Sequence, residues 1–140
     1  MARPSEYTKD ACDLICSFIA EGKSLRTICL SDDAPSKATV FRWLASHPEF
    51  RDQYAHAREA QADALAEEIL DISDDGSNDW TETEDGPKLD NEHVQRSRLR
   101  VDSRKWLASK LKPKKYGDKL AHTGPEGEGP VSISVTWQND

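Results

Sequence analysis

Ser24–Leu44, SLRTICLSDDAPSKATVFRWL, is the stretch whose reading decides the fold. Ser24 is a residue type that caps a helix start, and Leu25, Ile28 and Cys29 share one face of the short helix it opens. Asp32, Asp33, Ala34 and Pro35 break that helix and make a turn. Ser36 can accept from the Thr39 amide and so cap a further helix. In that helix Val40, Trp43 and Leu44 face inward, and Lys37, Thr39 and Arg42 are left outward. Trp43 reads as the core plug of a three-helix unit. Two short helices joined by a tight turn, the second opening on small polar residues and carrying an exposed Arg, have the outline of a DNA-reading helix-turn-helix.

Upstream, Ala11, Leu14, Ile15, Phe18 and Ile19 recur at helical spacing, and Gly22 ends that helix. Cys12, Cys16 and Cys29 fall in helical segments and read as reduced core thiols. A zinc site drawing on His47 would lack ligand spacing. The DNA-binding candidates are Ser36, Lys37, Thr39 and Arg42 on the second helix, with Arg3, Lys23 and Arg26 as further backbone contacts. Gly22-Lys23-Ser24 matches only the end of a phosphate loop: Ser17 stands where the first Gly is needed and a helix where the strand should be.

The net charge of −7 is unevenly spread over the 140 residues. Residues 1–47 hold six basic and six acidic groups, residues 48–92 three and fifteen, and residues 93–119 ten and two. The DNA-reading part is therefore neutral, and one copy should bind DNA weakly, because phosphate neutralisation supplies most non-specific affinity. Several copies acting together would repair that. The expected location is soluble and intracellular, since neither a secretory signal nor a bilayer-length apolar run is visible.

Pro48 sits at the start of a long helix running from Glu49 to about Ile72, and a second runs from about Asn91 to Leu111. The polar, acidic link between them, broken by Gly76, Gly86 and Pro87, reads as a loop. The two helices make a hairpin with little core of its own. Its oligomerisation candidates are Leu65, Ile69, Ile72, Leu99 and Trp106. The acids of the first helix and the bases of the second read most simply as interhelical or intersubunit pairs; a nucleic-acid surface is the competing reading. Asp71, Ser73, Asp75, Gly76, Asp79 and Glu82 follow calcium-loop spacing, but Asn78 replaces the expected hydrophobe, and the segment reads as an acidic loop without metal. No catalytic constellation or cofactor motif is visible, so the chain is not expected to be an enzyme.

After a Gly- and Pro-bearing linker, Val131, Ile133, Val135 and Trp137 alternate with Ser132, Ser134 and Thr136. A lone strand must pair with something. Strands of neighbouring subunits closing a small barrel are the economical solution; docking on a partner or an unstructured tail are the alternatives. The expected fold is thus mainly α: a helix-turn-helix domain over 1–54, a helical oligomerisation domain over 55–116, and a linker with a barrel strand over 117–140.

TVFRWLASHPEFRDQYAHA, ADALAEEILDISDD, RLRVDSRKWLASKLKPKKYGDK and the closing VSISV together resemble the small terminase subunit of tailed double-stranded DNA bacteriophages, over nearly the whole chain. The resemblance implies a non-enzymatic DNA-recognition protein of the genome-packaging motor, working in the host cytoplasm. It implies a ring, an octamer or a near neighbour, with peripheral helix-turn-helix units, central hairpins and a C-terminal barrel. Its implied partners are viral double-stranded DNA at packaging initiation and the large ATPase/nuclease subunit. By position, Lys37, Thr39 and Arg42 fall in the DNA-reading helix, residues from about Ala55 to Lys112 in the oligomerisation core, and Val131, Ile133 and Val135 in the barrel. A dimeric transcriptional regulator is the rival reading; it would bind a palindromic site.

Overall fold

The computed structural model describes residues 3–119. Three short helices come first: α1 (Lys9–Ala20), α2 (Leu25–Ile28) and α3 (Lys37–Ser46). Each opens on a hydroxyl cap: Thr8 accepts from the Ala11 amide, Ser24 from Thr27 and Ser36 from Thr39, all at 3.2 Å. These caps satisfy amides that the first turn leaves without a helical partner. Gly22, at φ +101°, closes α1 in the left-handed conformation. A Cβ there would stand 3.0 Å from a Glu68 carboxylate oxygen, so the loop after α1 lies close against the next long helix.

That helix, α4 (Pro48–Asp74), has 27 residues and spans about 40 Å. Pro48 takes its first turn, where the missing amide is no loss. Its first half completes the N-terminal core. Phe50 and Ala57 pack with Cys12, Ile15, Ile19, Leu25, Ile28, Val40 and Trp43. Tyr7 stacks on His47 at 3.5 Å and meets Trp43 edge-on at 5.5 Å, closing the core from outside. Trp43 is the expected plug, and all three cysteines are buried. The inward face of α1 is carried by Cys12, Ile15, Cys16 and Ile19, whereas Leu14, expected inside, is largely exposed.

The second half of α4 pairs with α5 (Asn91–Leu111), which ends in the single turn α6 (Pro113–Tyr116). Between α4 and α5 the expected loop is instead a hairpin, β1 (Trp80–Thr83) and β2 (Gly86–Leu89), antiparallel with Trp80 opposite Leu89 and Thr83 opposite Gly86. Glu84 and Asp85 form its turn, and Gly86, at φ +106°, supplies the left-handed residue after it. Asp90 then accepts from the His93 amide at 3.0 Å and caps α5.

The hairpin corrects the expected architecture. The sheet of the described residues is one open, two-stranded ribbon, with two edges left over, and no closed barrel is formed. The fold is mainly α-helical with this small antiparallel sheet. Val131, Ile133 and Val135, on which the barrel rested, lie outside the described residues.

Candidate nucleic-acid interface

Lys37, Ala38, Phe41, Arg42 and Ala45 form the solvent face of α3. Thr39 does not join them: it is buried, which corrects its expected outward placement. Its hydroxyl lies 3.0 Å from the Ser36 hydroxyl and accepts from an Arg42 guanidinium nitrogen at 3.3 Å. Ser36 is likewise occupied as the helix cap. The two polar residues at the start of α3 therefore hold the helix and aim Arg42, rather than presenting free donors.

Arg26 on α2 and Lys37 and Arg42 on α3 are exposed, and among the described residues none has a carboxylate within ion-pair distance. Free cations are what phosphate contact requires. Arg3 and Lys23 are more engaged. Arg3 donates to the Cys29 carbonyl at 3.1 Å and lies 3.6 Å from Asp32, strapping the segment before α1 across the turn. Lys23 sits 4.0 Å over the Phe18 ring and 3.9 Å from Glu21.

The joint between the N-terminal helices and the long hairpin is polar. Gln61, buried in α4, donates to the Lys23 carbonyl at 3.0 Å and accepts from Arg58 at 2.9 Å. One helical stage further, Glu68 accepts from Arg104 of α5. At the far side, Asp63 receives Lys112 at 3.0 Å, Lys115 at 2.8 Å and the Tyr116 hydroxyl at 2.6 Å. Those donors, Lys115 first, hold the Asp63 carboxyl well below the usual carboxylate range. Part of the expected acid–base pairing is thus interhelical within one copy.

The oligomerisation candidates divide. Leu65 is buried, and Ile69 and Ile72 are half-buried in the α4/α5 seam. Leu99 and Trp106, seven residues apart on the outer face of α5, are 61% and 63% exposed, and Leu70 on the outer face of α4 is 64% exposed. These are large apolar residues exposed to water on two packed helices. Leu70, Phe41 and the Asp63 anchor were not singled out in the sequence. Phe41 and Leu70 were legible there as apolar residues at outward helical positions.

Among the described residues no three His, Cys, Asp or Glu side chains converge on a metal site, and the calcium-like spacing is spent otherwise. Asp75 accepts from the Ser77 amide and hydroxyl, and Asp79 lies 3.8 Å from His93. No helix of the described residues is long and apolar enough to cross a membrane.

A cationic helix face on a small helical core, rigidly joined to a long hairpin with uncovered apolar residues, is the build of a DNA-binding subunit of a larger assembly. Comparison with known proteins gives the family. The model of the bacteriophage Sf6 terminase-small-subunit-like family matches residues 7–123, and the chain belongs to that family. Membership carries a non-catalytic part in phage DNA packaging. Three solved structures of the terminase small subunit gp1 of the bacterial virus Sf6, each with a single substitution, are similar throughout. One is 41% identical with a TM-score of 0.71 over 95% of this chain and 100% of that one. The others are 41% identical with a TM-score of 0.73 and 40% with 0.72, each over 96% of both chains. The uncharacterized protein YffO of Escherichia coli (strain K12) is 34% identical over 89 residues, 61% of this chain. The match spans 60% of that relative's length.

Proposed function

We propose that this chain is the DNA-recognition subunit of a phage terminase, a ring-forming protein that binds viral DNA when packaging starts and regulates the large ATPase/nuclease subunit. The observation that carries the reading is the outer face of α3, where, among the described residues, no carboxylate lies within ion-pair distance of Lys37 or Arg42, on a chain of this family. In this reading residues 1–54 act as the helix-turn-helix unit, with Arg26, Lys37 and Arg42 on DNA and Thr39 and Ser36 as positioning residues. Residues 55–116 act as the oligomerisation unit. Leu99 and Trp106 on one copy would meet Leu70 and its acidic neighbours Glu67 and Asp74 on the next, a head-to-tail contact that closes into a ring if the rotation allows.

Two measurements on the full chain test this. Native mass spectrometry should give one closed species of about eight copies. Fluorescence anisotropy with duplex DNA should show binding that Arg42→Ala weakens about tenfold, the loss of one good Arg contact, with the mass unchanged. A monomer or simple dimer would remove the ring and favour a two-fold regulator. Unchanged affinity in the Arg42 variant would remove α3 from the DNA.

A further inference from the structure

Phe41 stands at the centre of the outer face of α3 with 52% of its surface in water, although its neighbours Val40 and Trp43 are fully packed. The core does not use it. One helical turn to either side are Ala38 and Ala45, both exposed and both too small to shield the ring. The face is therefore a low ridge of alanine methyl groups with one aromatic ring projecting from it. The Lys37 ammonium lies 5.7 Å from the ring centroid, and Arg42 follows directly along the helix. Among the described residues neither cation has an ion-pair partner.

An apolar projection bracketed by free cations fits a polyanion that carries apolar groups recessed between its charges. Duplex DNA has that arrangement. The major groove admits an α-helix between two phosphate rows, and the apolar group on its base edges is the thymine C5-methyl. We infer that Phe41 is a specificity-determining residue that contacts thymine methyl groups in the major groove while Lys37 and Arg42 hold the flanking backbone. This rests on the DNA-binding reading of α3, and it adds what that reading lacks, a source of sequence preference. The cations position the helix and carry no base information of their own when they meet phosphate.

The test uses the full chain and a fluorescent duplex of alternating A·T pairs, about three helical turns long. A second duplex carries deoxyuridine in place of thymidine, which removes only the methyl group. Wild-type affinity should fall about fourfold on the uracil duplex for each engaged unit, the effect of one methyl group returned to water. Phe41→Ala should bind the thymine duplex more weakly by the same factor and bind both duplexes equally. Phe41→Leu, still apolar, should keep part of the difference. A G·C duplex with 5-methylcytosine in place of cytosine should gain affinity for the wild type and not for Phe41→Ala. Equal wild-type affinity for the thymine and uracil duplexes overturns the inference and leaves α3 a non-specific binder. Failure to bind any duplex overturns the DNA-binding reading and this inference with it. A changed native mass for Phe41→Ala assigns the ring to a contact between copies, which also overturns it.

Discussion

Gln61→Leu is the substitution that most directly tests how the two halves of this chain are held together. Gln61 is 2% exposed, and both ends of its amide are used: Nε2 donates to the Lys23 carbonyl at 3.0 Å and Oε1 accepts from Arg58 at 2.9 Å. Leucine has nearly the same volume, so packing is preserved and the hydrogen bonds are lost. The Lys23 carbonyl, in the loop that Gly22 turns, is then left against an apolar side chain. An unsatisfied partner of this kind costs about 1–3 kcal/mol. Arg58 is half-buried and can turn to water, so the lower half of that range, about 1.5 kcal/mol, is expected from the carbonyl alone. For a chain of this size that is a fall in Tm of roughly 5 °C. The assay is urea and thermal unfolding at one fixed protomer concentration, because assembly adds its own stability. Amide exchange should also quicken at Lys23 and Ser24, whose loop Gln61 ties down, while α5 stays protected. A loss below about 0.5 kcal/mol would mean that the joint is held by packing and that the hydrogen bonds contribute nothing net. Equal quickening across α5 would mean that Gln61 supports the whole fold and not this joint.

Further outcomes follow from the same geometry. Thr39→Val removes the hydroxyl that restrains Arg42 but keeps the shape; DNA affinity should fall about threefold through the extra ordering of the arginine, with stability down by roughly 1 kcal/mol. Asp63 has its pKa lowered by Lys115, Tyr116 and Lys112, so its contribution is fully present above the ordinary Asp pKa of about 3.9 and is lost as pH falls toward the lowered one. Amide exchange at Lys115–Gly117 should therefore accelerate on acidification below that value in the wild type, and Asp63→Asn should show fast exchange already at neutral pH. Burial pushes the Cys16 thiol up to about 11 and raises Cys12 and Cys29 as well. A thiol reagent at neutral pH should then label the native protein only at the rate at which its core opens, and all three thiols together in urea.

The helices were legible because their signals are local. Ser24 and Ser36 cap where hydroxyls before apolar periodic runs should cap, and Pro48 opens α4. Asn91 and Leu111 bound α5 as the pattern implied. What depends on a partner was less legible. WTET and GPKL carry no alternation, and the hairpin they form is visible only once each supplies the other's hydrogen bonds. Cys12 and Cys16 were legible as core thiols and are buried, but the helical stripe also places Leu14 inside, and Leu14 is exposed because the thiols fill the inward face of α1. Thr39 looked like a surface residue because threonine is polar; its hydroxyl is consumed by Ser36 and Arg42, and its methyl side is then free to be buried. Leu99 and Trp106 read as oligomerisation candidates, and they lie on the outer face of the hairpin, whereas Leu65 of the same set is buried within it. Periodicity marks an apolar position on a helix but does not say which neighbouring surface covers it.

The placement of α4 gives the two halves a relation that a linker would not. Its first half belongs to the core under α3, and its second half pairs with α5, with no break in 27 residues. Gln61 and Glu68 add side-chain ties on either side of that transition. The direction in which α3 faces is therefore fixed relative to the hairpin's outer faces, that of α4 with Leu70 and that of α5 with Leu99 and Trp106, which together form the proposed assembly surface. If copies assemble through that surface, the spacing and tilt of successive α3 faces are set by the assembly and not by a tether. Effective concentration then rises sharply for DNA whose path matches that spacing and is nearly lost for DNA that reaches only one unit. A unit with six basic and six acidic groups in its first 47 residues is suited to this, because binding through one unit alone stays weak. The acid excess over residues 48–92 acts in the same direction. Exposed carboxylates of α4, among them Glu67 and Asp74, repel phosphate from that helix, while α5 on the other side of the hairpin carries exposed cations of its own, among them Arg98, Arg100 and Lys105. Under the proposed function, neutrality of the reading unit and acidity of α4, which argue against DNA binding when the chain is taken singly, would together make binding conditional on assembly.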